Sequence, residues 1–573
     1  MNEPFEKGLR ISRHTVKALV VLKSVMGYML RITKSVTCVA IITAIICFLV
    51  YLRALDCGFV NLDDAVYVLD NDFITHLDKA LFSWAFFQPL DFWIPLTWIS
   101  FAVDYHFWKL NPFGYHLTNI ALHAVNTSLV VLVTDALLRH SFKQVEQVGR
   151  SHIVPLILLL TGLFFGIHPL RVESVAWVAE RKDVLNGIFT FSSLLCYLHY
   201  LQFKNDGKNS KLATGYYLLS LGLFALSLMA KASSVVMPAI LLVADYYPLQ
   251  RLHRGTVVTL LKEKLPYLLL SIIVAGFTLV LGGQKEILVS YDYIPFFERV
   301  TISGSALFDY CRLLFYPVGL VPYFLIPNEL PFSCILKTVV IVIVTGFSIV
   351  GARKRPLVFA AWASFIIPFL PVLALFQNGT QMLAARYTYL PSLVPSILIA
   401  AGMVVLFRKK NALLSKYPQM PGIVAIFASA ILIFYVVMTL KLITVWDNTE
   451  KFWTRVIEIR PTGMAYRDRG RYYLIKGKFD AAIEDFTAAI EDEESMQYVH
   501  AYNFFAFRGL AYEKTGRIGE SVRDFSMALN GRQDQNYYYH RGKALLQLGR
   551  EKEAREDLLR ADQASGIISW HDK

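Results

Sequence analysis

Two adjacent carboxylates, Asp63 and Asp64, follow an apolar run that ends near residue 55, within Gly58-Phe59-Val60-Asn61-Leu62-Asp63-Asp64-Ala65-Val66-Tyr67. A carboxylate at a membrane exit can act as a general base when a neighbouring negative charge raises its proton affinity. The same pair could equally cap a turn. A second charged stretch, His168 to Asp183, separates the apolar runs 153–167 and 184–203. Glu173, Glu180 and the triplet Arg181-Lys182-Asp183 fall there at near-helical spacing, which gathers carboxylates and cations on a short surface helix. Ionisable groups at a bilayer edge are costly unless they are solvated, paired or in use. The stretch therefore reads either as a site for an anionic lipid headgroup or as a loop whose charges anchor the membrane boundary.

Two further cations stand at span ends. Lys231, in Met229-Ala230-Lys231-Ala232-Ser233-Ser234, could meet a phosphate or snorkel to the interface. Arg386 opens a span in Gln381-Met382-Leu383-Ala384-Ala385-Arg386-Tyr387-Thr388-Tyr389-Leu390-Pro391, and its planar fork suits phosphate oxygens. His116, Asn119, His123 and Asn126 share one helix face; that spacing favours hydrogen bonds between helices over a metal. The aromatic segments around Trp93-Ile94-Pro95-Leu96-Thr97-Trp98 and Asn111-Pro112-Phe113-Gly114-Tyr115-His116 suit an interfacial belt.

These residues need a membrane scaffold to position them, and the composition supplies one. The chain has 573 residues, 55% of them hydrophobic, with a mean hydropathy of +0.45. That is a polytopic membrane protein. Spans of roughly 20 apolar residues fall near 36–55, 115–138, 153–168, 184–203, 214–230, 233–248, 265–283, 334–352, 357–376, 387–407 and 421–441. With the N-terminus inside, the basic loops 139–152, 204–211, 251–264, 353–355 and 408–416 all become cytoplasmic, as the positive-inside rule requires. This holds if the apolar stretch 300–323 lies at the outer face without crossing. Segments 56–114, 168–183, 284–333 and 377–386, the turn at Lys231 and everything past about 442 then share the extracytoplasmic side.

The net charge of +13 belongs largely to those loops and to a basic arm, 1–35, whose stretch 17–30 could lie on the inner leaflet. No nucleic-acid signature accompanies it. The six cysteines show no CxxC or His-Cys cluster, which supports neither a disulfide framework nor a zinc site. After residue 446 the pattern changes: Gly470, Tyr473, Gly477, Ala482, Phe486 and Ala489 return as Gly509, Tyr512, Gly516, Ser521, Phe525 and Ala528, then as Gly542, Gly549, Ala554, Leu558 and Ala561. A period of about 34 residues with small residues facing aromatics is that of tetratricopeptide repeats, an α-solenoid that binds partner proteins or simply caps a domain.

Together the motifs Phe59-Val60-Asn61-x-Asp63-Asp64, Trp93-x-Pro95-Leu96-Thr97-Trp98, Asn111-Pro112-x-Gly114-x-His116, His168-Pro169-Leu170-x-Val172-Glu173-Ser174-Val175-Ala176-Trp177, Arg181-Lys182-Asp183-Val184-Leu185 and Arg386-Tyr387-Thr388-Tyr389-Leu390-Pro391, with repeats behind them, give a resemblance. The chain resembles bacterial relatives of the transmembrane and tetratricopeptide repeat-containing O-mannosyltransferases, within the GT-C superfamily. The resemblance covers most of 50–570, and 168–185 is its most specific block.

It implies an all-α fold: a GT-C-type transmembrane domain over 36–445, of about eleven spans, and an extracytoplasmic repeat domain over 446–573. It implies a glycosyltransferase of the bacterial inner membrane, with repeats in the periplasm and a polyprenyl-phosphate-linked sugar as donor. The role of base falls to Asp63 or Asp64, and Glu173 becomes the second acid. Arg181, Lys182, Lys231 and Arg386 become the cations at the donor phosphate; His168, His116, Asp104 and Tyr387 complete the candidates. A Ser or Thr hydroxyl of an exported protein, presented by the repeats, would take the sugar with inversion, as one base and one leaving group require. Ala385 and Ala232 stand where the family or its animal members carry acids. A divalent metal stays open, as do a glycan or lipid acceptor and a non-catalytic scaffold. No phosphate-cradling Gly-rich loop is present, which fits a lipid-linked donor.

Overall fold

A computed structural model describes residues 35–88, 92–141, 153–206, 209–284, 294–321, 324–326, 329–376, 381–407, 416–417, 419–492, 496 and 501–562. The basic arm with its stretch 17–30, and most of the loops 139–152 and 408–416 and of the insertion near 491–500, lie outside the described residues.

Among the described residues, seven helices are long and apolar enough to cross a membrane: Val36–Asp56, Pro112–His140, Val178–Asn205, Ser210–Ala230, Val257–Leu281, Phe332–Val350 and Met420–Trp446. A pair, Ile153–Gly166 and Pro169–Ala176, meets the same test across a 49° bend. Pro169 has no N–H to continue the helix, and the His168 ring restarts it by accepting the Leu170 amide at 3.2 Å. Three shorter apolar helices, Ala232–Tyr246, Pro356–Val372 and Leu393–Leu406, occupy the remaining expected spans. The second tightens at the prolines of Ile367–Val372, and the third begins only after the turn at Ala385–Thr388 and Pro391. The stretch expected at the outer face forms the helix Phe296–Phe315; Glu298, Arg299, Asp309 and Arg312 keep it too polar to count as a span.

Close helix approach depends on small residues. A Cβ on Gly162 would meet Thr43 and Val131 side-chain carbons at 2.6 Å, so the helix Ile153–Gly166 can seat between Val36–Tyr51 and Pro112–Ser141 only without one. β structure among the described residues is a short antiparallel ladder, Phe324 facing Leu383 and Leu325 facing Gln381, which fastens the approach to Arg386.

The C-terminal part is three helix pairs: Gly463–Ile475 with Phe479–Glu491, Tyr502–Lys514 with Ile518–Gly531, and Gln535–Gln547 with Glu551–Asp562. Gly477, Gly516 and Gly549 turn each pair at φ between 72° and 76°, a left-handed conformation that favours glycine. An ionic ladder runs through the stack. Arg469, Arg508 and Arg541 each clasp the aspartate 16 residues on, Asp485, Asp524 and Asp557, with both contacts between 2.6 and 3.0 Å. Each also donates to a hydroxyl of the preceding helix, on Thr454, Thr487 or Ser526, at 3.1 Å.

Candidate active site

The two aspartates of the loop after the first long helix do different things. Asp64 is 1% exposed, and its carboxylate accepts the Val60 amide at 2.9 Å and the Ala179 amide at 2.8 Å. Burial pushes its pKa up to about 7, against the opposing pull of those two amides. Its oxygens are spent on holding the loop to the segment at 179. The Asp63 side chain is 42% exposed and lies 3.4 Å from Lys182 Nζ, a carboxylate free to meet an incoming hydroxyl.

Behind Asp63 lies a buried charge cluster centred on Glu180. That carboxylate faces three cations: Lys182 at 3.0 Å, Arg386 at 3.3 Å and Lys231 at 3.4 Å. Lys231 also bonds Asp183 at 2.5 Å. Arg386 pairs with Glu173, which accepts the Arg386 backbone amide as well, at 3.3 Å; Gln381 takes another of its N–H groups at 2.5 Å. Tyr387 lies under both cations, 4.9 Å from the Arg386 guanidinium and 5.8 Å from Lys231. The carboxylates paired with Arg386 and Lys231 thus come from Glu173 and Asp183, with Glu180 between them. Glu180 was visible in the sequence as a second acid, but its place between three cations was not. The tight turn at Val178–Glu180 and the helix start at Arg181 put it there.

Arg181, expected at a donor phosphate, is turned into the helices in this structure. Its guanidinium is fully buried and given over to the protein: Asp104, Asn119 Oδ1 at 2.8 Å, the Tyr115 carbonyl at 3.0 Å and the Ser100 carbonyl at 3.1 Å. Arg181 and Lys182 are successive residues on one helix and so point about 100° apart; only Lys182 faces the charge cluster. Asp104 serves Arg181 and accepts the Thr118 hydroxyl at 2.8 Å. His168 is a cap, with Nε2 3.0 Å from the Leu314 carbonyl, and His116 is buried against the Cys57–Gly58 backbone. Along the same helix face, His123 bridges the Tyr389 hydroxyl at 2.7 Å and the Gly166 carbonyl at 2.8 Å. Asn126 donates to the Val184 carbonyl at 2.7 Å. These are hydrogen bonds between helices.

A small polar pocket of about 20 Å³ opens beside the cluster, lined by Asp183, Lys231, Ser233, Arg386, Tyr387 and Tyr389 among others. Pro368 and Leu390 line it too, and the same two residues line an apolar cavity of about 410 Å³. That cavity runs past Phe191, Ile240, Ala361, Ile397 and Gly402 to Tyr247 and Val405, which end the helices Met237–Tyr246 and Leu393–Leu406 on the side away from Arg386. The apolar cavity and the polar pocket thus lie on either side of Pro368 and Leu390, and the charged side chains on the polar side are Asp183, Lys231 and Arg386.

A family model for the tetratricopeptide repeat matches residues 535–566. Among curated proteins the chain is 25% identical to human protein O-mannosyl-transferase TMTC4 over 68% of its own length and 56% of that protein's. It is 25% identical to mouse protein O-mannosyl-transferase TMTC3 over 61% of its length and 40% of that protein's. A shorter match to mouse protein O-mannosyl-transferase TMTC2 reaches 31% identity over 33% of the chain and 21% of the relative. The chain spans about half the length of the first of these and less of the others. No solved structure matches it.

Proposed function

We propose that this chain, a relative of the TMTC protein O-mannosyl-transferases, is a glycosyltransferase that moves a hexose from a polyprenyl phosphate to Ser or Thr of exported proteins. The setting is the periplasmic face of a bacterial inner membrane, the repeats are on that face, and the names of the relatives make mannose the first sugar to test. One observation supports the donor: the apolar cavity and the polar pocket that holds Lys231, Arg386 and Asp183 share Pro368 and Leu390 as lining residues and so are neighbours. A polyprenyl phosphate has that shape, a long hydrocarbon chain ending in an anion. Burying the chain contributes about 25 cal/mol per Å² of apolar surface, and Lys231 and Arg386 face the phosphate.

The chemistry follows from where the acids lie. Asp63 accepts the proton of the acceptor hydroxyl, whose oxygen forms a bond to the sugar C1. The C1–O bond to phosphate breaks on the opposite face, which inverts that carbon. The bond's electron pair leaves with polyprenyl phosphate, whose charge Lys231 and Arg386 stabilise. Lys182 holds the Asp63 carboxylate in place, while Glu173, Glu180 and Asp183 orient the cations. The test is transfer by purified full-length protein from radiolabelled polyprenyl-phosphate mannose to a Ser/Thr peptide, in wild type and Asp63→Asn. Transfer by the wild type and its loss in the variant support the reading; equal transfer by both removes Asp63 from the mechanism.

A further inference from the structure

The chain that leaves the last long helix does not run freely to the repeats. At Trp446–Thr449 it closes on the loop that carries Asp63. Arg53 Nη2 donates to both oxygens of Asp447 at 3.0 Å. The Asp447 carbonyl accepts the Gly58 amide at 2.8 Å, and Cys57 Sγ lies 3.4 Å from its carboxylate. The Thr449 hydroxyl accepts the Asn61 amide at 2.9 Å. Space is tight: a Cβ on Gly58 would sit 3.3 Å from the Asp447 carbonyl oxygen.

The same junction touches the opposite wall of the site. The Trp446 ring stacks on Trp177 at 5.4 Å and 22°, and the Arg386 guanidinium and Lys182 Nζ also lie over the Trp177 ring, at 5.4 and 5.9 Å. On its far side the junction belongs to the repeats: Thr449 begins the helix Thr449–Ile459, Thr454 takes the first rung of the arginine ladder, and Glu450 meets Lys478 at 3.1 Å.

The loop 57–64 is therefore held at two points. Asp64 ties its C-terminal end to Ala179; Asp447 and Thr449 tie its first half to the root of the repeat domain. We propose that Asp447 and Thr449 are positioning residues for Asp63, so that the junction bearing the acceptor-binding repeats also sets the base. This rests on reading Asp63 as the base, and it makes the repeats part of the catalytic geometry beyond being a tether.

Thr449 offers a clean test, because Thr449→Val removes the acceptor of the Asn61 amide at constant shape and Thr449→Ser retains it. In the full-length protein with polyprenyl-phosphate mannose and a peptide, Thr449→Val should lower kcat on the order of tenfold while donor KM stays within about twofold, since misplacing a base acts on the chemical step. Thr449→Ser should restore wild-type kcat. Hydrogen exchange gives a readout independent of activity: in Thr449→Val the amides of 57–64 should exchange faster, with 181–190 unchanged. Unchanged exchange at 57–64 overturns the proposal, and so does faster exchange with full kcat. If wild type itself transfers nothing from this donor, the glycosyltransferase reading fails, and the tie between junction and loop then stands or falls on the exchange data alone.

Discussion

The Asp64 carboxylate accepts the backbone amide of Ala179 at 2.8 Å, and this bond joins the loop 57–64 to the segment that carries Glu180 and Lys182. It separates two neighbouring acids by role: Asp64 holds the loop and Asp63 faces outward. Asp64→Asn leaves one acceptor oxygen for two buried amides, a loss of about 1–3 kcal/mol, read as a lower melting temperature in detergent. Asp63→Asn should leave the melting temperature where it was.

Because burial raises the Asp64 pKa to about 7, the folded state binds a proton there that the unfolded chain releases near pH 4. Folding stability from this group is thus greatest in acid and declines as pH rises from about 4 to 7. The margin of wild type over Asp64→Asn should narrow across that window. Melting curves of both proteins at stepped pH check it, and a constant margin contradicts it.

The cations divide into two classes. Lys231→Met and Arg386→Met should raise donor KM at least about tenfold in the folded fraction, the loss of one charge-assisted contact, and each also lowers the yield of folded protein because it strips buried Asp183 or Glu173 of a cation. Arg181→Met should reduce the yield of folded protein alone, because it leaves Asp104 buried without its cation, a defect of about 3–5 kcal/mol. Donor titrations beside size-exclusion profiles in detergent distinguish the two behaviours.

Gly402 lines the apolar cavity, and a Cβ built there meets nothing within 4 Å. Gly402→Phe should fit the fold and occupy room a lipid chain needs. Its donor KM should rise with a long polyprenyl donor and change little with a short-chain analogue; an equal effect on both would detach the cavity from the donor.

In the repeats, Arg508→Met strips the partner from the buried Asp524 and removes a tie to Thr487. The defect, about 3 kcal/mol, should appear as faster hydrogen exchange across 502–531, with the membrane helices unchanged.

Much of the scaffold was legible because hydropathy alone locates apolar helices and a recurring Gly and aromatic pattern locates repeats. Each stretch expected to span has a helix, although Pro368 and Pro391 shorten those nearest the site. What one-dimensional spacing could not give is direction. Nothing in Asp63-Asp64 says which acid turns inward, since that is decided by the distant amide of Ala179. Nothing in Arg181-Lys182 says that the arginine is consumed by Asp104 and Asn119 on the neighbouring helices. The arginine ladder was hidden for a different reason: its partners lie 16 residues apart on opposite helices of a pair, a spacing set by the turn between them. Glu180 had a visible signal, an acid beside three charged residues, but its role depends on Lys231 and Arg386 arriving from remote parts of the chain.

In the proposed mechanism Asp63 is the base of a protein O-glycosylation reaction. Mass spectrometry of exported proteins from cells carrying wild type, a deletion or Asp63→Asn tests it most directly. A hexose is expected on Ser and Thr peptides in wild type and in neither altered strain, with Asp63→Asn protein present in the membrane at wild-type level. A hexose that survives in the Asp63→Asn strain and disappears only in the deletion would contradict it.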